Sequence, residues 1–205
     1  GAVITAAIAD DAVTAAKLAD TSVSAGSYGS ATAIPAITVD AQGRVTAAST
    51  NAISAGVVSD SNDNTTAGTD AGANFDGNNA VRNSLYGKDA GENITTGDEN
   101  CAFGARALDA NTTGSGNVAI GLDALGSNTT ASNNIAVGPD SMRTNTTGAD
   151  NVAVGRGTLY SNTTGTTNVA VGDRAMQYNT TGNHNIGIGQ FGLQVNTTGA
   201  SNTAV

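Results

Sequence analysis

The chain has no tryptophan, three phenylalanines and four tyrosines among 205 residues, which excludes the thick, ring-rich core of an ordinary globular domain. The single Cys101 excludes an internal disulfide and says nothing about redox compartment. The one histidine, His184, has no cysteine or second histidine near it in sequence, so the common His/Cys zinc spacings are missing. It fills a slot held elsewhere by Thr167, Asp150 or Asn133 and reads as a solvated turn residue. Basic residues are scarce, eight against seventeen acids, giving a net charge of −9 and an isoelectric point near 4.2. Such a surface repels phosphate backbones and anionic headgroups, so nucleic acid is not an expected partner. No apolar run reaches the length of a membrane-spanning helix, so membrane insertion is not expected either. Gly1-Ala-Val-Ile-Thr lacks an initiator methionine and a basic-apolar leader pattern, and Val205 falls inside a repeat; the expectation is a segment of a longer protein.

What the chain has instead is repetition. Asn-Thr-Thr-Gly recurs at Asn111, Asn145, Asn162, Asn179 and Asn196, with Asn-Thr-Thr-Ala at Asn128, and 128 − 111 = 17 sets the spacing throughout. A fixed period without insertions means that each unit fills the same structural slot, as in stacked supersecondary turns. The expected fold is all-β, a parallel β-roll or β-solenoid with 17-residue turns, preceded by a slender β-rich shaft.

Three zones follow. Residues 1–50 hold shaft modules: a ten-residue repeat aligning Val3, Val13 and Val23, then a hairpin of Ala36–Asp40 and Arg44–Ser49 around a glycine-containing turn, with Pro35 just before its first strand. In the first module Asp10 or Asp11 can cap a short helix from Ala12 to Ala19, whereas its Val-Thr pairs favour strand. Residues 51–76, rich in Ser, Asp, Asn and Gly, read as a linker or an irregular cap, since terminal solenoid units must end the stack. Residues 77–205 form the roll, about 36 Å long at roughly 4.8 Å per turn.

Within one repeat, Asn117-Val-Ala-Ile-Gly121 and its counterparts at Asn134, Asn151, Asn168 and Asn185 read as short strands. Side chains alternate across a strand. The branched residues Val118, Ile120, Ile135, Val137, Val152, Val154, Val169 and Val171 are expected to line the interior, with Leu125 and Leu159 sealing it from the opposite wall. Cys101 shares the Val118 slot and is expected to be a buried thiol; Tyr86 and Phe103 are expected to fill the other interior slot near the cap. The opposite face, Ala119, Ala136, Ala153 and Ala170, is uniformly small and is expected to meet an identical chain. Gly121, Gly138, Gly155 and Gly172 supply the positive φ of a sharp corner after the strand. Asn111, Asn128, Asn145, Asn162 and Asn179 make the return turn, their amides bonding to backbone and to one another as a ladder rather than accepting glycans.

The motifs that carry chemistry elsewhere are missing. A glycan depolymerase needs paired carboxylates in a ring-lined groove. Asp109, Asp123, Asp140 and Asp173 stand in different registers, so no catalytic residue is assigned and the chain is not expected to be an enzyme. The Gly-Gly-x-Gly-x-Asp calcium repeat is absent; Asp60, Asp63, Asp70 and Asp76 read as a solvated acidic linker, and no metal or cofactor is expected. Lys88, Arg106, Arg156 and Arg174 near one corner are offset by Asp89, Asp123, Asp140 and Asp173, a mixed-charge surface. Adjacent threonines such as Thr112 and Thr113 cannot face the same side of a strand, which argues against an ice-binding double rank.

The repeated Asn-Val-Ala-Val-Gly-x-x-Ala-Leu resembles the head repeats of trimeric autotransporter adhesins, left-handed parallel β-rolls assembled as trimers. Taken in series, Asp11-Ala-Val-Thr-Ala-Ala-Lys-Leu-Ala-Asp20, Ile37-Thr-Val-Asp-Ala-Gln-Gly-Arg-Val-Thr46 and Asn-Thr-Thr-Gly-x-x-Asn-Val-Ala-Val-Gly are closer to bacteriophage tail fibres of the marine and cyanophage type. That resemblance implies an intertwined homotrimer on a virion, joined to other fibre proteins and used in attachment to a host receptor, such as a surface glycan, through sequence beyond this segment. The alternative it leaves is the head of a bacterial trimeric surface adhesin.

Overall fold

A computed structural model of the chain describes residues 24, 26–28, 33–41, 44–52, 57–76 and 79–205. The ten-residue repeat, with its helix-or-strand alternative, lies outside the described residues. The chain divides into two compact units, Gly1–Ser54 and Ala55–Val205.

In the first unit, β1 (Ala33–Val39) and β2 (Val45–Ala52) form the expected antiparallel hairpin. Asp40 clasps the turn: its carboxylate accepts from the Arg44 backbone at 2.9 Å and from Arg44 Nε at 2.7 Å. Pro35 lies inside β1, opposite Thr50, rather than before it. Each strand of a two-stranded ladder has an open edge, and such an edge tolerates the missing N–H.

The second unit is a β-solenoid of about eight turns. Nine short strands stack in parallel in chain order: β4 (Thr65–Ala67), β5 (Ser84–Tyr86), β6 (Cys101–Phe103), β7 (Val118–Ile120), β8 (Ile135–Val137), β9 (Val152–Val154), β10 (Val169–Val171), β11 (Ile186–Ile188) and β12 (Thr203–Ala204). Like pairs with like, so Val118 faces Ile135 and Ala119 faces Ala136. The ladder starts further back than the expected Gly77: β4 already pairs in parallel with β5, and its coil is 84 − 65 = 19 residues long. β3 (Val58–Ser59) folds back antiparallel onto β4 and covers the sheet edge there, the task expected of a cap.

The second wall bonds from coil to coil without regular strands. Leu108 N–H donates to Ala124 O at 3.0 Å, and Leu125 N–H to Ser141 O at 3.0 Å. Leu108, Leu125, Met142, Leu159 and Met176 all have φ between 51° and 55° except Leu159, at 50°. Left-handed backbone costs a non-glycine residue about 1–2 kcal/mol. Here it turns the N–H along the stacking axis, where it meets a carbonyl of the next coil. Two further left-handed positions per coil do the same in the other direction, as when Asp123 N–H donates to Ala105 O and Asn133 N–H to Ser115 O.

The core is flat and narrow. Ala119, Leu125 and Asn117 are fully buried, as are their counterparts through successive coils. This corrects the expected facing of the strands. Alternation holds, but the alanines point into their own coil, and the eight branched residues from Val118 to Val171 are half-buried or exposed. Ala119, Ala136, Ala153 and Ala170 are therefore not available to another chain. The reason is volume: Leu or Met from the second wall fills the coil and leaves room opposite for only a methyl group. In the coil after that of Met176 the strand has Gly187, and a Cβ there would lie 2.7 Å from Met176 Cγ.

Candidate interaction face

Turning the branched residues outward creates a continuous apolar strip on the outside of the sheet. Two columns run along it, one through Val118, Ile135, Val152 and Val169, the other through Ile120, Val137, Val154 and Val171. Ile120 and Ile135 are each 40% exposed, whereas Ala119 between the columns is 0% exposed. No charged residue occupies either column from β4 to β12. Past the glycine corner the strip ends: the slot of Leu122, 46% exposed, carries Lys88, Arg156 and Asp173 in other coils.

At β5 and β6 the strip changes character. Tyr86 and Phe103 occupy the Ile120 column on the outer face, not the interior, with ring centroids 4.6 Å apart and planes 6° from parallel. Cys101 is half-buried beside them, and its thiol is pushed up in pKa by desolvation. The expected buried thiol is thus a partly covered group on the outside of the sheet.

The turn assignments stand where expected. Gly121, Gly138, Gly155 and Gly172 have φ between 128° and 135°, a region open to glycine. Asn111, Asn128, Asn145, Asn162 and Asn179 are fully buried and form the ladder. Asn128 Nδ2 donates to Asn111 Oδ1 at 2.9 Å and to Ala131 O at 3.0 Å, so these asparagines cannot accept glycans while folded.

A second ladder escaped the sequence reading. The asparagine before each strand, Asn117 and its equivalents from Asn83 to Asn185, donates Nδ2 to the preceding asparagine and to the glycine or alanine carbonyl fourteen residues on; at the ends, Asn64 donates to Asp60 and to Ala80 O, and Asn202 to Asn185. Its backbone N–H also donates to the preceding Oδ1, at 3.0 Å for Asn117 onto Asn100. Its invariance through nine repeats was the available signal, because a residue two places before an inward alanine also points inward. Among the described residues, no buried side-chain nitrogen or oxygen lacks a partner.

The threonines obey a different geometry from the one assumed. Thr112 and Thr113 lie in a bend, so strand alternation does not apply; Thr112 is half-buried and donates Oγ1 to Thr129 O at 3.0 Å, while Thr113 is exposed. Charges lie off the apolar strip. Arg106 meets Asp123 in a bidentate pair at 2.7 and 2.8 Å, and Arg156 meets Asp173 at 3.1 Å, both between residues 17 apart on neighbouring coils. The Arg106 guanidinium holds the Asp123 carboxyl below its ordinary pKa. Burial, then the charge of Asp89, pushes Asp109 up.

Asp60 is engaged locally: burial opposes its ionisation, but amide donors from Asn64 and Asn62 outweigh it and lower its pKa. Among the described residues, no three His, Cys, Asp or Glu side chains come together as a metal site, and no helix is long and apolar enough to cross a membrane. Comparison of the chain with protein-family models, with curated proteins and with solved structures gives no match.

Proposed function

We propose that this chain is a structural segment of a trimeric phage tail fibre that extends from the virion and serves attachment to the host cell. The observation that carries the reading is the uncharged apolar strip along a thin, stacked roll. An isolated chain leaves this strip in water. From β5 to β11 it measures roughly 29 Å by 12 Å, about 350 Å² in projection. Three such strips meeting on a common axis remove roughly 1,000 Å² from water in all, shared among three pairwise contacts.

The order of modules supports a fibre over a self-contained binding domain. A hairpin precedes a roll whose coils repeat the same surface, and repetition makes a better spacer than a recogniser. In this reading the chain has no catalytic role, joins other fibre proteins, and leaves contact with a host receptor, such as a glycan, to sequence outside the segment. The head of a bacterial trimeric adhesin is the second reading, favoured by the Asn-Val-Ala-Val-Gly strands themselves.

The test is the native mass by light scattering, paired with migration on an unheated detergent gel. A trimer of three times 20.0 kDa, near 60 kDa, is expected. A folded monomer would overturn the assembly and the fibre reading with it.

A further inference from the structure

The apolar strip repeats itself every coil, and this raises a problem of alignment. From β7 to β11 both columns carry only valine and isoleucine. Copies that slide past one another by one coil, about 4.8 Å, still set branched aliphatics against branched aliphatics. Featureless strand surfaces specify register weakly. The asparagine ladders and the Arg106–Asp123 and Arg156–Asp173 pairs act within one chain and do not distinguish one axial setting from another.

The pattern breaks at the two ends of the strip, at Thr203 in β12 and, with larger side chains, at β5 and β6. Along the Ile120 column the residues run Ala67, Tyr86, Phe103, Ile120 and Val137, so two stacked rings stand between a methyl group and a row of branched aliphatics. Beside them Ser84 and Cys101 replace the valine or isoleucine of the other column. The rings support each other at 4.6 Å and form a rigid step in the profile of the face. In register, the step of one copy meets the same step of its neighbours. A slip of one coil in either direction sets Tyr86 of one copy against Ala67 of the other, which leaves a void, and Phe103 of one against Ile120 of the other, where the aliphatic rows already fill the space.

We infer that the stacked Tyr86–Phe103 pair fixes the axial register in which copies of this chain assemble through the outer face of the sheet. The inference rests on the assembly proposed above, with a second copy as the occupant of the strip. A partner of complementary charge has nothing to pair with on this face, whereas an identical copy matches its spacing coil for coil.

Disulfide mapping on the full chain tests it. Two single-cysteine forms, Cys101→Ala/Val152→Cys and Cys101→Ala/Val169→Cys, are refolded together, oxidised and digested, and the linked peptides are identified by mass spectrometry. Every disulfide is then between chains. Links joining 152 to 152 and 169 to 169 report register; links joining 152 to 169 report a slip of one coil. A several-fold excess of like-with-like links is expected. With Tyr86→Val and Phe103→Ile added, using residues that later coils already carry, the excess should fall toward parity while the native mass is unchanged. Returning the rings elsewhere, as Val137→Tyr with Val154→Phe, should restore it.

An undiminished excess in the ring-free variant would overturn the inference and leave the assembly standing. Dissociation of that variant to monomers would also overturn it, because the rings would then be holding copies together rather than aligning them. A monomeric parent chain would remove the proposed assembly itself.

Discussion

Leu85 and Gly91 hold in one coil the space that Ala102 and Leu108 hold in the next. A Cβ built on Gly91 would lie 2.9 Å from Leu85 Cδ1 and 2.8 Å from Ile94 Cδ1. The large residue comes from the strand in one case and from the second wall in the other, and the interior accepts one of them per level. Gly91 already has φ of 56°, the conformation Leu108 adopts at 55°, so the backbone would take a leucine there and only the volume forbids it. Gly91→Leu alone should destabilise by about 1–3 kcal/mol through overpacking. Adding Leu85→Ala should recover most of that loss, a coupling that denaturant titration of the two single variants and the double variant measures.

The strand-start asparagines should be among the least replaceable residues. Asn134→Ala removes an Oδ1 that accepts from the Asn151 backbone at 3.0 Å and an Nδ2 that donates to Gly148 O at 2.9 Å. Both groups left behind are buried; Gly148 O keeps the Asn145 Nδ2 donor at 2.9 Å, whereas the Asn151 N–H is stranded. The expected cost is about 1–3 kcal/mol. The neighbouring exposed Asn133, changed to Gly to preserve its left-handed φ of 60°, should cost far less on the same melting curve.

Backbone strain predicts a stabilising change. Thr167 is β-branched, exposed and held at φ 56° in a slot that Asn133, at 60°, also occupies. A β-branched residue pays more than asparagine for this region. Thr167→Asn should raise stability by roughly 0.5–1 kcal/mol, seen as a higher melting temperature. An unchanged or lower value would show that the threonine is not strained.

Two carboxylates should shape the pH dependence in opposite senses. Asp123 has its folded pKa lowered by Arg106, so its contribution is present above the unfolded value, about 3.9, and disappears as pH falls through that value and the folded one. Asp123→Asn should therefore weaken the fold at pH 7 by about 0.5–1 kcal/mol, allowing for the half-exposed Arg106, and flatten the acid limb of the stability curve. Asp109 has its folded pKa raised, so its contribution is complete below the unfolded value and is lost as pH rises through the folded one. Asp109→Asn should gain stability at pH 7 and little at pH 3. Equal gains at both would show that burial and Asp89 do not disfavour its charge.

The sequence by itself determined the period, one strand per coil, the glycine corner at residues such as Gly155, the asparagine ladder through Asn145, and the inward leucines at Leu125 and Leu159. These are local or repeat-level properties: a residue type at a fixed spacing must solve the same backbone problem in every coil. The tertiary structure decided which strand face is inside. Alternation separates Val118 from Ala119, but only the opposite wall says which fits, and Leu125 leaves space for the alanine. It also decided the left-handed backbone at Leu125 and Thr167, where coil-to-coil hydrogen bonds override an intrinsic preference that sequence statistics would follow. The start of the roll at Thr65 was hidden for the same reason. Gly72 and Phe75 replace the usual leucine and asparagine there, and their fit appears only when the coil above them is in place.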